Sequence, residues 1–215
     1  MSTGALAGLV LLFFSAYLLG SLSGSLLLGR VFGLDIRQSG SGNAGGTNAL
    51  RARGWRFALP VVLIDVGKGV LATAFLPLLW PQAQPTAAAV AAGCGFAALM
   101  GHIYPVFFGF RGGKGAATFV GGLLGFAPLI AAGLVAAWLV CLILTGFVGL
   151  STMFASLATV GFSIWLVPDA EGPWVLSFCA ACAVAVVLAH HSNLRRMVAG
   201  QEPQMRRVMV FRRWR

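Results

Sequence analysis

Apolar residues in this chain neither alternate with polar ones nor keep to one face of a helical repeat. They come in long runs, separated by short polar gaps. A helix that is apolar all round belongs in lipid, and roughly 20 such residues cross a bilayer. The runs predict spanning helices over 6–28, 57–80 and 86–107. From Gly115 to Pro168 there follow 54 residues without Asp, Glu, Lys or Arg. Pro128 and the stretch from Gly146 to Ser151 divide them into 115–127, 129–146 and 152–167. The first of these is short, as suits a tilted helix or a half-helix lining a cavity. A last run extends from Trp174 to Ala189.

The gaps carry most of the charge. Arg30, Arg37, Arg51, Arg53 and Arg56 stand against Asp35 in the first. Arg111 and Lys114 mark a second, and seven Arg with one Glu follow from Arg195 onward. Asp169 to Pro173 is net acidic, and Pro81 and Pro85 bracket an uncharged turn. Basic segments collect on the cytoplasmic side. Two spans separate the first two basic gaps, so parity requires an odd number of spans in the uncharged stretch. The expected fold is all-α: a polytopic membrane protein of about seven helices, N-terminus outside and C-terminus cytoplasmic.

Composition agrees. Of 215 residues, 59% are hydrophobic and 9% charged, with mean hydropathy +0.89, which leaves room for a single membrane-embedded domain over 1–215 and no soluble one. The net charge of +10 is accounted for by loops of one side, which argues against a nucleic-acid partner. The first run lacks a basic leader and is long for a signal peptide, so it reads as a retained span. Cys94, Cys141, Cys179 and Cys182 lie inside apolar runs and read as packing residues; no metal-ligand pattern is present.

The polar gaps also carry the candidate chemistry. Ser39 to Arg51 is Gly-rich, with Ser41, Asn43, Thr47 and Asn48 as neutral donors and Arg51 as a phosphate-matching fork. Glycines let successive N–H groups turn toward an anion. Arg111-Gly112-Gly113-Lys114-Gly115 precedes an apolar run, which predicts glycine N–H groups and a point charge at a helix start. It is not a Walker loop, since Gly115 stands where Ser or Thr is required. His190 and Asn193 share a helix face three residues apart, and His190 is the candidate base. Asp65 and Lys68 read as a structural ion pair inside the second span, and His102 and Tyr104 as packing and interface residues. The topology puts these loops, the Gly146–Ser151 turn and His190–Asn193 on one face, where they form one site. A transporter for a phosphorylated solute is the rival class, but no internal repeat supports it. A scaffold leaves the polar motifs unexplained.

Three ordered motifs resemble the bacterial acyl-phosphate:glycerol-3-phosphate acyltransferases, the PlsY family. The first is Gly40-Ser41-Gly42-Asn43-Ala44-Gly45-Gly46-Thr47-Asn48-Ala49-Leu50-Arg51, followed by Asp65-Val66-Gly67-Lys68-Gly69. The second is Gly101-His102-Ile103-Tyr104-Pro105-Val106-Phe107 with Gly112-Gly113-Lys114-Gly115-Ala116-Ala117-Thr118. The third is His190-His191-Ser192-Asn193-Leu194-Arg195-Arg196 with Glu202. Gly46 departs from the Ala usual in the family.

The resemblance implies transfer of an acyl group from acyl phosphate to the 1-hydroxyl of sn-glycerol 3-phosphate, giving lysophosphatidic acid and phosphate. This is the first acylation of phospholipid synthesis. It implies a multi-pass protein of the bacterial inner membrane, working as a monomer in lipid with its site facing the cytoplasm and no cofactor or metal. By the same resemblance Ser41, Lys114, His190 and Asn193 carry catalysis, with His190 or a phosphate oxygen of a substrate as the base. Gly42, Asn43, Gly45, Thr47, Asn48, Arg51, Gly112, Gly113, Gly115, Ser151 and Glu202 bind the substrates.

Overall fold

The structure, a computed structural model, describes residues 2–80, 86–167 and 172–210. The Pro81–Pro85 turn and the Asp169 to Glu171 part of the acidic loop lie outside the described residues. Every regular element among the described residues is helical. The chain divides into two compact units, Met1–Ala127 and Pro128–Arg215.

The first unit holds α1 (Thr3–Gly20), α2 (Gly24–Val31), α3 (Gly46–Arg53), α4 (Trp55–Val70), α5 (Ala87–Ile103) and α6 (Ala116–Phe126). Beyond Val70, α4 widens into a π turn and then tightens, so that the apolar span runs over Trp55–Leu79. In the second unit lie α7 (Pro128–Thr145), α8 (Val148–Leu166), α9 (Gly172–Ala189) and α10 (His191–Val198). Among the described residues six helices are long and apolar enough to cross a membrane, and α6 is a shorter apolar one of 11 residues. At about 1.5 Å per residue, α6 covers roughly half of a hydrocarbon core about 30 Å thick. The predicted set of about seven is therefore six full spans and one half-length helix.

The first predicted span, 6–28, is not continuous. It breaks after Gly20 and restarts at Gly24. Hydropathy is blind to the cause, which lies in α4. Lys68 Nζ donates to the carbonyls of Gly20 and Leu22 at 2.8 and 3.2 Å, and Asp65 Oδ1 accepts from the N–H of Gly24 at 3.1 Å. A cation thus sits at the negative end of α1 and an anion at the positive end of α2. The two side chains pair at 3.0 Å, as their spacing predicts, and both are buried. Backbone groups freed inside a membrane protein need such partners.

Small residues let the helices of this unit touch backbone to backbone. A Cβ on Gly121 of α6 would strike the Val66 carbonyl of α4, and one on Gly101 of α5 the Tyr17 carbonyl of α1. Thr73 Oγ1 adds a bond from α4's extension to the Gly122 carbonyl at 2.9 Å. In the second unit α8 lies against both α7 and α9. Its buried hydroxyls, Ser151, Thr152, Ser156, Thr159 and Ser163, all donate to carbonyls of α8 or of its N-cap Phe147, so they lie against neighbours without unmet polar groups.

Candidate active site

In the first unit the loop before α3 is organised by Asn48. This buried amide accepts from the Ser41 N–H at 2.9 Å and donates to the carbonyls of Ser39 and Ile36 at 2.9 and 3.1 Å. The sequence marks Asn48 as a substrate donor. The structure spends both its N–H groups on the loop, so it positions Ser41 rather than offering donors of its own. Gly40 and Gly42 have φ of +59° and +71°, conformations in which a side chain is strained, and Gly45 caps α3. Ser41 and Arg51 are exposed, and Asn43 and Thr47 half-buried. Gly46 stands close to Val62: a Cβ there would meet Val62 Cγ2 at 2.6 Å, so the Ala usual in the family requires that side-chain end to shift.

The second loop doubles back on the end of α5. Gly112 N–H donates to the Ile103 carbonyl and Gly113 N–H to the His102 carbonyl, both at 3.1 Å. This satisfies carbonyls that a helix C-terminus otherwise leaves open. The two glycine N–H groups expected to face an anion are therefore committed. The helix N-terminus at this loop is that of α6, which starts at Ala116 directly after Lys114 and Gly115, the latter at φ +86°.

The two loops are tied together. Arg37 forks onto Asp35, with 2.9 and 2.8 Å bonds, and donates through NH1 to the carbonyls of Phe108 and Arg111 at 3.0 and 3.2 Å. Hydrogen bonding from Arg37 holds the Asp35 carboxyl below the usual carboxylate range. Arg30 donates to the Phe107 carbonyl at 2.9 Å and stacks on the Phe108 ring at 4.2 Å. Deeper in, Ser25 Oγ donates to the Ala44 carbonyl at 2.9 Å. The gap charges Arg30, Asp35 and Arg37, read from sequence as topology signals, are the fastenings of these loops.

The second unit carries the third motif. His190 is buried at the start of α10, and its Nδ1 lies 2.8 Å from the Val186 carbonyl. A carbonyl only accepts, so Nδ1 carries a proton. Asn193 Nδ2 donates to Glu202 Oε1 at 2.6 Å, and Arg196 Nε to Glu202 Oε2 at 2.7 Å. Asn193 lies against the first turn of α8, where a Cβ on Gly149 would crowd it at 2.6 Å. The segment after α10 is pinned to the α7–α8 turn by Met205 N–H to the Gly146 carbonyl at 2.8 Å. Ser151 is buried near the same turn and donates to the Phe147 carbonyl at 2.8 Å. Glu202, expected at the substrate, here orients Asn193; Arg196, inside the third motif, and Gly149, inside the Gly146–Ser151 turn, were marked by the sequence without a role of their own. His191 is exposed and donates from Nδ1 to the Leu188 carbonyl.

The sequence model of a family described as glycerol-3-phosphate acyltransferase matches residues 10–200, from α1 past the end of α10. The chain belongs to the glycerol-3-phosphate acyltransferase family. The Pseudomonas savastanoi pv. phaseolicola glycerol-3-phosphate acyltransferase is 43% identical over 188 residues, covering 87% of this chain and 93% of that one. That of Chlorobaculum parvum is 35% identical over 217 residues, with coverage of 88% and 93%. A crystal structure of PlsY (YgiH), an integral membrane glycerol 3-phosphate acyltransferase in its glycerol 3-phosphate form, superposes with a TM-score of 0.80 at 30% identity, covering 92% of this chain and 96% of that one. Its lysophosphatidic acid form gives 0.79 at 29% identity. The chain is thus a multi-pass membrane member of the PlsY-type glycerol-3-phosphate acyltransferases, and the three motifs fall inside the matched residues except for Glu202, just beyond them.

Proposed function

We propose that the chain, acting as one domain over 1–215, moves a fatty acyl group from acyl phosphate to the 1-hydroxyl of sn-glycerol 3-phosphate. The hydroxyl oxygen bonds to the acyl carbonyl carbon, the bond from that carbon to the phosphate oxygen breaks, and 1-acyl-glycerol 3-phosphate and inorganic phosphate leave. An acyl phosphate is a mixed anhydride with an activated carbonyl. The protein has to hold two phosphates close together and align one hydroxyl.

The observation that carries this reading is the fastening of the Ser41 loop to the Lys114 loop through Arg37 and Arg30. Two anion-suited segments held side by side suit two phosphates. Ser41, Gly42, Asn43, Gly45 and Thr47 take the acyl phosphate, and Lys114 neutralises charge on both substrates. Arg51, Gly115 and the start of α6, backed by Gly112 and Gly113, receive glycerol 3-phosphate. In the second unit Ser151, His190 and Asn193 have the chemistry to bind glycerol 3-phosphate; Asn48 holds Ser41, and Glu202 holds Asn193.

The hydroxyl proton passes to a phosphate oxygen of the substrates. Nδ1 of His190 meets a carbonyl, which fixes the tautomer without supplying charge, so His190 serves to orient the hydroxyl through Nε2. The acyl tail lies between helices, open to lipid. The enzyme works as a monomer in the bacterial inner membrane with its motifs facing the cytoplasm. Purified protein with palmitoyl phosphate and glycerol 3-phosphate is expected to release phosphate and the 1-acyl product, and with palmitoyl-CoA to give none. Equal turnover of both donors overturns the donor assignment.

A further inference from the structure

The buried cluster around Lys68 has a third member. Lys68 Nζ lies 2.8 Å from His102 Nδ1, and Asp65 Oδ1 lies 3.4 Å from the same nitrogen. An ammonium only donates, so Nδ1 is the acceptor and the ring proton sits on Nε2. Three N–H groups of Lys68 are then shared among His102, Asp65 and the carbonyls of Gly20 and Leu22. His102 is itself 2% exposed.

The Nε2 edge of this ring is turned toward the motifs. A Cβ built on Gly113 would collide with His102 Nε2, would meet Cε1 at 3.0 Å, and would come within 3.1 Å of the Ala44 carbonyl oxygen. Gly113 is therefore wedged between the His102 ring and Ala44 of the first loop. Its N–H is bonded to the His102 carbonyl, so one residue supports it through both ring and backbone. The next residue is Lys114.

We propose that His102 is a positioning residue for acyl transfer: gripped at Nδ1 by Lys68, its imidazole backs Gly113 with the Nε2 edge and seats Lys114 beside the first loop. The proposal rests on the functional reading above. The ion pair that closes the break in the first span thereby also sets the tautomer and angle of a ring under the Lys114 loop. Misplacing a charge by about 1 Å is enough to cost up to about a hundredfold in rate.

Two isosteric variants separate this role from simple filling of space. His102→Gln keeps a donor where Nε2–H stands, and His102→Asn keeps a polar group at the Nδ1 position and leaves Gly113 unbacked. With thermal midpoints matched, H102N is expected to raise KM for glycerol 3-phosphate about tenfold with a smaller change in kcat, and H102Q to recover most of that loss. H102Q no better than H102N, or wild-type KM in both, overturns the proposal.

A measurement on the wild-type protein decides it should the variants not fold. His190 and His191 both donate from Nδ1, so among the three histidines only His102 is expected as a ring with bare Nδ1 and an Nε2–H in a histidine-labelled nitrogen-15 spectrum. That signal is expected to shift on adding glycerol 3-phosphate. A spectrum with no Nε2–H ring, or one whose signal does not move, overturns the proposal. Failure of the wild-type enzyme to acylate glycerol 3-phosphate refutes the functional reading instead, whereas an active enzyme whose His102 signal lacks that tautomer or does not move refutes the positioning role alone.

Discussion

Lys114 is one of two lysines in the chain, and the other is buried in the ion pair of α4. It follows a glycine that has no room for a side chain and precedes one at positive φ, so its backbone is held on both sides. Charge-assisted contacts are worth roughly 1.5–3 kcal/mol each, and about 1.4 kcal/mol is a factor of ten in rate. Lys114→Ala is therefore expected to lower kcat/KM at least about tenfold with little change in thermal midpoint. Lys114→Arg should rescue poorly, because a planar fork replaces a point charge in a tight turn. Steady-state kinetics alongside a melt check both. Asp35 gives a pH prediction. Its carboxyl is held below the ordinary range near 4, so its link to Arg37 is complete above that range and is lost as pH falls through the depressed value. The difference in melting temperature between wild type and Asp35→Asn should stay constant from about pH 8 to about pH 5 and close as pH drops below about 4. A constant gap down to pH ~3 would show that the charge of Asp35 is idle. Single residues were legible where their chemistry is local: Ser41, Arg51 and Lys114 stand out among glycines. Asn48 was legible as polar but not as the tie of its own loop, because its partners are fixed only once the loop closes. His102 read as packing, since Lys68 lies 34 residues away and no spacing rule links them.

Helices were legible wherever hydropathy ends at a charge or a proline, as at Pro128 and Phe57. The break at Ser21–Ser23 was not, because Leu22 and the small residues around it keep the apolar run intact while the break is imposed from α4. Removing one partner of a buried pair costs roughly 3–5 kcal/mol, because the other charge is left without compensation. Asp65→Asn and Lys68→Met are each expected to lower the melting temperature strongly in detergent, and the double variant to lower it less than their sum. Additive losses would mean that the two side chains support α1 and α2 independently. The half-length of α6 was legible from its run of 115–127, but its seam on α4 was not: Gly121 shows its purpose only against the Val66 carbonyl.

At the scale of the whole molecule, the motifs carried the argument further than any single element. Membership of the family rests on a match over residues 10–200, which takes in both units. Orientation is open to direct test. Single cysteines at Ser41, Arg111 and Arg196, in a background lacking the native four, are expected to resist a membrane-impermeant thiol reagent in intact cells and to react after lysis. Labelling of the Ser41 position from outside would overturn the assignment of the motifs to the cytoplasm. The tie between Glu202 and Asn193 has a consequence for biosynthesis. Glu202 follows all six long helices, so a ribosome that stops before it still yields a product with every one of those helices available for insertion. Such a product lacks the carboxylate that orients Asn193, and it would occupy the bilayer without turning over. On the role proposed for Asn193, activity would then report that translation has passed Glu202, and a nonsense mutation between α10 and that codon would be a null allele with a normally inserted product.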